Sequence, residues 1–293
     1  MEKNQIGILA IVGIVAASLI TMGVSAVIFG GGGGGGYSIQ ISGSTTCFPV
    51  IEAAAEEFQN KYPEYTIEVA AGGSSKGVSD ALEGVVDIGM ASRNLKESEQ
   101  GQGLIDYVFA TDGIAVIASK GLGDLELTME QLFKIYTGEI TDWSAVSSKS
   151  GSITLYTRAE GSGTRASFEE LVTNADGDEL GESDGYINNV GTYQTVESND
   201  QMATEIKNAN NAIGYCGLAF ASDADHEIVS IDGVEASASA TADGTYPVAR
   251  GLHMFTAGTP KPAALAFINY IMGPNGQAIV AEEDFVPLSW YSA

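Results

Sequence analysis

The chain of 293 residues is 44% hydrophobic and 8% aromatic, which is enough to build the cores of about two ordinary domains. Its 38 acidic residues outnumber its 13 basic ones and give a net charge of −25. This balance argues against nucleic acid as a partner, and it repels the body of the protein from an anionic membrane surface.

The first predicted element is a membrane segment. Residues 6–29 carry no charged side chain over 24 positions, more than the roughly 20 apolar residues that a helix needs to cross a bilayer. We expect residues 1–29 to be an uncleaved anchor, with a cleaved secretory signal as the alternative. The seven glycines at residues 30–36 predict a flexible tether, so the chain from Tyr37 onward is expected outside the membrane.

The body of the chain alternates strand-like and helix-like stretches. Strands are predicted at "YSIQIS", "YTIEVA", "VVDIGMA", "GIAVIAS" and "SITLYT". Helices are predicted at residues 50–61, 77–83, 128–135, 164–173, 200–209 and 260–272. The alternation indicates an α/β fold. Residues 232–244, "DGVEASASATADG", are predicted to form a polar loop or hairpin.

The cysteines and histidines are too few for a metal centre. Cys47 and Cys216 lack the spacing of a zinc site, and they could form a disulfide or be two small buried apolar residues. His226 and His253 are isolated in the sequence. We therefore expect neither a metal nor a cofactor.

Four turns carry similar polar groups where a strand gives way to a helix. Each contains hydroxyl groups, free backbone N–H groups or an arginine. The turns contain Ser44-Thr45-Thr46, Gly73-Ser74-Ser75-Lys76-Gly77, Ser92-Arg93 and Gly161-Ser162-Gly163-Thr164. Any one of these turns could simply cap its helix.

Taken together, the four turns indicate an anion site. The N–H groups at a helix N-terminus lie at the positive end of the helix dipole, and Ser and Thr hydroxyls donate hydrogen bonds without adding charge. The chain has only four arginines, and three of them lie in or beside these turns: Arg93, Arg158 and Arg165. In so acidic a chain, this placement favours a bound oxyanion.

The second turn also allows an enzymatic interpretation. Residues 73–77 match G-x-S-x-G, in which Ser75 would be the nucleophile of a hydrolase and His253 could complete a triad. That interpretation leaves the other three turns without a role. The fourth turn also lacks the G-K-[ST] of a nucleotide-binding loop. We therefore expect a binding protein with no catalytic residue.

Seven motifs, in order along the chain, resemble the substrate-binding proteins of high-affinity phosphate ABC importers. They are "GSTTCFPVIEAAAEEF", "GGSSKGV", "DIGMASRNLK", "IYTGEITDW", "RAEGSGTRASF", "AIGYCGLAF" and "YPVARGL". The resemblance implies a periplasmic-binding-protein-like fold, in which two α/β lobes joined by two crossing strands close on a ligand in the cleft between them. Lobe one would comprise residues 37–110 and 248–293, and lobe two residues 111–247.

The resemblance also implies a ligand and partners. The ligand would be inorganic phosphate, captured at the outer face of the cytoplasmic membrane and delivered to the transmembrane subunits of an ABC permease. A phosphate-responsive surface sensor or an adhesion protein with the same fold is the alternative.

Carried over motif by motif, the resemblance implies a set of phosphate-binding residues. They are Ser44, Thr45, Thr46, Phe48, Ser74, Ser75, Arg158, Ser162, Gly163 and Thr164. The expected donors of the first loop are the Phe48 N–H and a hydroxyl of Thr45 or Thr46, since Cys47 replaces the usual threonine.

Arg93 departs from the family pattern and is also assigned to the site. Many members have an aspartate there, which accepts the proton of hydrogen phosphate. Arg93 could instead face the cleft and offset the ligand's charge beside Arg158, which would loosen selectivity against sulfate. The alternative is a surface arginine paired with a nearby carboxylate such as Glu97.

Overall fold

The computed structural model describes residues 36–288 of the chain. The predicted membrane segment and all but the last glycine of the predicted tether lie outside the described residues. Within residues 36–288, no helix combines the length and the apolar character that a membrane span requires.

The described part of the chain alternates strands and helices. The strands are β1 Tyr37–Gly43, β2 Tyr65–Ala71, β3 Ile88–Ala91, β4 Leu104–Ala118, β5 Glu126–Leu127, β6 Thr154–Arg158, β7 Gln194–Val196, β8 Ala212–Gly217, β9 Glu227–Ile228, β10 Ser230–Ile231 and β11 Ala249–Ala257. The α-helices are α1 Phe48–Lys61, α2 Ser74–Leu82, α3 Met129–Tyr136, α4 Gly163–Leu171, α5 Asp184–Asn189, α6 Asn199–Asn208, α7 Ala238–Ala242, α8 Pro262–Met272 and α9 Pro274–Glu282.

Most strands join one continuous sheet in the order β2-β1-β3-β11-β4-β8-β6-β7, and β9 pairs with β4. Strands β1, β2 and β3 are parallel to one another, as are β6, β7 and β8. Strands β5 and β10 form a separate parallel pair. Parallel strands that alternate with helices place their loops at the carboxyl edge of the sheet, where ligands commonly bind.

Strand β4 links the two halves of the sheet. Residues 104–113 pair with β11, whereas residues 114–118 pair with β8, both in the antiparallel sense. The β4–β11 ladder places Asp112 opposite Arg250. Residues 113–118 are all buried, as expected for an apolar strand with neighbours on both edges.

The buried apolar side chains form two large clusters, one on each side of this link. One cluster draws its buried members from residues 39–110 and 252–285, and the other from residues 114–248. We call the parts of the chain around these clusters lobe one and lobe two. Each lobe is therefore stabilised by its own core.

The predicted strands and helices are confirmed, with shifts of a few residues at most of their ends. The exception is the strand predicted at "GIAVIAS", residues 113–119, because β4 already begins at Leu104. Helix α2 begins at Ser74, three residues earlier than predicted. The prediction of a loop or hairpin at residues 232–244 is wrong for Ala238–Ala242, which form α7, whereas the rest of this segment is turn and irregular structure. Ser237 Oγ caps that helix by accepting from the Ala240 N–H at 3.1 Å, and its Ala-Ser repeat lacks the apolar periodicity that reveals most helices.

Cys47 and Cys216 do not form a disulfide, and both are buried. Burial raises the pKa of each thiol to about 12. Both cysteines therefore stay protonated at neutral pH and pack as small apolar residues.

Candidate functional site

The first loop, Ser44 to Cys47, connects β1 to α1. Ser44 Oγ accepts hydrogen bonds from the N–H groups of Thr46 at 3.1 Å and Cys47 at 3.3 Å. Pro49 lies in the first helical turn, where its missing N–H costs no hydrogen bond. The Phe48 N–H, expected to be an anion donor, instead donates to Ser44 O at 3.1 Å, because the turn closes on itself.

The second loop leads into α2. Gly73 has a φ of +89°, a conformation that favours glycine. Ser74 is fully buried, and its Oγ accepts from the Ser92 N–H at 3.0 Å. The Ser75 N–H donates to Gly161 O at 3.1 Å, so the second loop touches the fourth loop across the two lobes.

Ser75 has the environment of a structural hydroxyl. Its Oγ accepts a hydrogen bond from Arg93 Nη2 at 3.2 Å. His253, the histidine that could complete a triad, instead pairs through Nδ1 with Asp106 at 2.9 Å. Within residues 36–288 no imidazole contacts the Ser75 hydroxyl, so the geometry gives the hydrolase interpretation no support.

Arg93, in the third loop, is buried and paired with Glu99. Its Nη1 and Nη2 donate to the two carboxylate oxygens of Glu99 at 2.7 and 2.8 Å. Arg93 thus pairs with a nearby carboxylate, as the alternative interpretation held, but it is buried instead of exposed and its partner is Glu99, not Glu97. The pKa of Glu99 lies below its ordinary value: partial burial raises it, but hydrogen bonds from Arg93 and the Lys96 N–H lower it more.

Arg158 lies at the end of β6 and is buried. Its Nη1 donates to Asn199 Oδ1 at 2.5 Å, and its Nη2 donates to Thr45 Oγ1 at 3.2 Å and to Glu197 O at 2.8 Å. Burial lowers the pKa of Arg158 to about 10, so the guanidinium remains protonated at neutral pH.

All the acceptors of Arg158 are neutral, and this distinguishes it from the other arginines. Arg93, Arg165 and Arg250 each pair with a carboxylate, whereas Arg158 has no ion-pair partner within residues 36–288. An uncompensated buried charge is costly. The site therefore has a fixed positive charge available to an anion.

The fourth loop starts α4. Ser162 Oγ caps this helix by accepting from the Arg165 N–H at 3.2 Å. Gly163 packs against lobe one so closely that a Cβ there would lie 2.1 Å from Ser74 Oγ. Thr164 Oγ1 lies 3.2 Å from Thr46 Oγ1 of the first loop.

The loops from the two lobes thus meet at one place. The N-termini of α1, α2 and α4 converge there, together with the Arg158 guanidinium. A cavity of about 220 Å³ opens at this junction, lined by Thr45, Gly161, Ser162 and the exposed residues Glu160 and Glu197, among others. Neither this cavity nor one of about 390 Å³ beside β7 is lined by a Lys or Arg, but the junction cavity adjoins Arg158 through Thr45, whose Oγ1 accepts from Arg158 Nη2.

Three residues at the junction were not assigned to the site from the sequence. Asp112 and Arg250 face each other across β4 and β11 and form a buried ion pair, with Arg250 Nη2 2.9 Å from Asp112 Oδ2. Burial raises the pKa of Asp112 above its ordinary value, although Arg250 and the Leu218 N–H favour the ionised form. Asn199 joins Arg158 to Thr46, since its Nδ2 donates to Thr46 Oγ1 at 2.8 Å.

The buried groups at the junction suit a tetrahedral oxyanion. Hydroxyls and the Arg158 guanidinium supply donors, while the buried carboxylate of Asp112 and the half-buried one of Glu99 are already paired with arginines. Such a site can hold an anion by hydrogen bonds and charge. Within residues 36–288, the hydroxyls of the junction contact other hydroxyls, backbone N–H groups, the Asn199 amide and arginines, and none forms a hydrogen bond with an imidazole or a carboxylate.

Known proteins resemble this chain in sequence. A PBP superfamily domain matches residues 30–275. The phosphate-binding protein PstS of Bacillus subtilis is 32% identical over 255 residues, covering 86% of this chain and 81% of that protein. The PstS of Borreliella burgdorferi is 26% identical over 256 residues, covering 85% and 89%.

Solved structures resemble the fold. A phosphate ABC transporter substrate-binding protein from Clostridium perfringens, solved with bound phosphate, is 35% identical with a TM-score of 0.78, and the match covers 86% of this chain and all of that one. An ABC-type phosphate transport receptor from Vibrio cholerae is 28% identical with a TM-score of 0.71, at 86% and 100% coverage.

Proposed function

This chain belongs to the phosphate-binding proteins of ABC importers, within the PBP superfamily, and we propose that it captures inorganic phosphate outside the cell and delivers it to an ABC permease. The observation that carries this proposal is the buried Arg158, which has only neutral partners: the Thr45 hydroxyl of lobe one and, in lobe two, Asn199 Oδ1 and the Glu197 carbonyl. Phosphate would supply the missing negative charge.

Three loops would bind the anion. We propose that Ser74 contributes from lobe one together with the Thr45 and Thr46 hydroxyls, and that Arg158, Ser162, Gly163 and Thr164 contribute from lobe two. Ser44, Phe48, Ser75 and Arg93 would act from behind these residues, because their polar groups already contact Ser92, Ser44, Gly161 and Glu99. No residue would act as a catalyst.

The lobes would close on the ligand around the two strands that join them. We propose that lobe one comprises residues 37–110 and 248–293 and lobe two residues 111–247, as the distribution of the two cores supports. Closure would exclude water and strengthen each hydrogen bond to the anion.

The N-terminus would keep the protein at the membrane. We propose that residues 1–29 anchor it to the outer face of the cytoplasmic membrane and that residues 30–36 form the tether, on the basis of their sequence alone.

Calorimetric titration of inorganic phosphate into protein that begins at Tyr37 tests the function. We expect tight one-to-one binding, no turnover of ester substrates, and no binding by Arg158→Met. Absence of phosphate binding by the wild-type protein would contradict the proposal.

A further inference from the structure

Arg250 lies at the point where the two lobes join. Its Nε and Nη2 donate to Asp112 Oδ2 at 3.2 and 2.9 Å, and both side chains are at most 3% exposed. The other oxygen of Asp112 accepts from the Leu218 N–H at 3.1 Å. The guanidinium is therefore fixed in place by the two strands that cross between the lobes.

The same nitrogen of Arg250 contacts one hydroxyl from each lobe. Nη2 lies 3.0 Å from Thr164 Oγ1 and 3.2 Å from Thr46 Oγ1. Thr46 belongs to the first loop of lobe one, and Thr164 lies in the first turn of α4 in lobe two. Separating the lobes would break at least one of these two contacts.

Arg250 also determines the direction in which the Thr46 hydroxyl points. Thr46 Oγ1 accepts from Asn199 Nδ2 at 2.8 Å and from Arg250 Nη2 at 3.2 Å. A hydroxyl oxygen has two acceptor sites and one O–H donor. Because both acceptor sites are filled, the O–H of Thr46 must donate. Its acceptor in this structure is Thr164 Oγ1 at 3.2 Å, and a bound phosphate oxygen would take or share that place.

We propose that Arg250, held by Asp112, is a positioning residue for phosphate capture: it joins Thr46 and Thr164 when the lobes close and orients the Thr46 hydroxyl as a donor. This inference rests on the proposed function. Interactions that form only in the closed state slow ligand release more than they speed ligand entry. Arg250 therefore lengthens the lifetime of the closed, phosphate-bound protein.

The test measures phosphate affinity and the dissociation rate for Arg250→Met and Arg250→Lys. We expect the dissociation constant of Arg250→Met to rise about 10- to 100-fold, the range for a lost charged hydrogen bond, mainly through faster dissociation. Arg250→Lys should recover part of the loss. The double variant Asp112→Leu/Arg250→Met removes both charges together, so it should fold and still release phosphate faster.

His253→Gln is the matched control. His253 pairs with Asp106 across the same two strands, within lobe one, so its loss should affect stability but leave phosphate dissociation within about twofold of wild type. Melting curves of every variant separate a loss of stability from a loss of positioning.

A second background shows whether Arg250 acts through the two hydroxyls. In Thr46→Val/Thr164→Val protein, adding Arg250→Met should change affinity by less than about twofold. The inference would be overturned if Arg250→Met weakened affinity as much in that background as in the wild-type protein. It would also be overturned if Arg250→Met and Asp112→Leu/Arg250→Met both bound and released phosphate as the wild-type protein does. Failure of the wild-type protein to bind phosphate would instead overturn the proposed function, and this inference with it.

Discussion

Ser74 and Gly163 begin helices in different lobes, and their atoms are so close that a Cβ at Gly163 would lie 2.1 Å from Ser74 Oγ. The backbone φ of Gly163 is not positive. The glycine is therefore needed for the close approach of the lobes, not for an unusual backbone conformation.

Gly163→Ala should consequently prevent tight closure while leaving α4 intact, because alanine favours helix more than glycine does. We expect phosphate affinity to fall by about 100-fold or more, equivalent to roughly 2.7 kcal/mol, with little change in melting temperature. Gly191→Ala is the control, since a Cβ at Gly191 would have no atom within 4 Å. Calorimetry showing wild-type affinity for Gly163→Ala would contradict this explanation.

The two serines of the second loop should differ in importance. Ser74 is fully buried beside the fourth loop, so Ser74→Ala should weaken phosphate binding by about 1 to 3 kcal/mol. Ser75→Ala should have a smaller effect, because the Ser75 hydroxyl contacts Arg93. Titration calorimetry of both variants checks the order. Covalent labelling of Ser75 by a serine-directed organophosphonate, with loss of an esterase activity, would favour a hydrolase.

Much of this site could be predicted from the sequence because its loops have local signals. Serine or threonine before a helix, and glycine where a loop turns, identified the first, second and fourth loops. The helix dipole then explained why three arginines near such turns indicate an anion.

The remaining contacts depend on the register of distant strands. Arg250 and Asp112 are 138 positions apart, and only the β4–β11 ladder brings them together. Arg93 has acidic residues at both 97 and 99 within reach in sequence, and the short 3-10 turn at Glu97–Glu99 selects Glu99. A local sequence pattern therefore predicts neither the pairing of Arg250 with Asp112 nor the pairing of Arg93 with Glu99.

Arg158 should lower the stability of the phosphate-free protein while making phosphate binding possible. It is buried without a carboxylate partner in the described structure, so replacing it with an apolar side chain removes an uncompensated charge. We expect Arg158→Met to raise the free energy of unfolding in phosphate-free buffer by about 1 kcal/mol or more and to abolish phosphate binding. Denaturant unfolding with and without phosphate measures both effects.

Arg165→Met provides the comparison. Arg165 is paired with Glu169 in the same helix and is only half-buried, so its loss should lower stability slightly, by under about 1 kcal/mol. If Arg158→Met were less stable than wild type in phosphate-free buffer, Arg158 would stabilise the fold, and its charge would not be left uncompensated until the ligand binds.

The N-terminal segment predicts a partition between membrane and solution. Full-length protein should sediment with membranes, because residues 6–29 are uncharged and long enough to span a bilayer. Protein that begins at Tyr37 should remain soluble and bind phosphate with equal affinity, since the glycine stretch separates the segment from the body. Recovery of only a processed, freely secreted form from the native cell would contradict an anchor.

The Arg93–Glu99 pair should control selectivity between oxyanions. The pair is neutral as a whole, and the lowered pKa of Glu99 keeps its carboxylate ionised at neutral pH. Arg93→Ala would leave that negative charge unpaired near the anion, so phosphate binding should weaken by about 1.5 to 3 kcal/mol. Glu99→Gln would leave the positive charge unpaired, and phosphate and sulfate should both bind more tightly. Titrations of both variants with both anions check these opposite signs.

With an arginine in place of the usual proton-accepting aspartate, the site should favour fully ionised oxyanions. Phosphate affinity should therefore rise from about pH 6 to pH 8 as the dianion forms, given a second pKa of about 6 as in phosphate esters, and excess sulfate should compete. Glu160, exposed at the cavity, is the alternative carboxylate that could accept the ligand's proton. Glu160→Gln should leave competition by sulfate unchanged if Glu160 has no such role, and stronger competition in that variant would show that Glu160 restores discrimination. The explanation fails if Arg93→Ala binds phosphate as wild type does and a thousandfold excess of sulfate, about 4 kcal/mol of discrimination, displaces none.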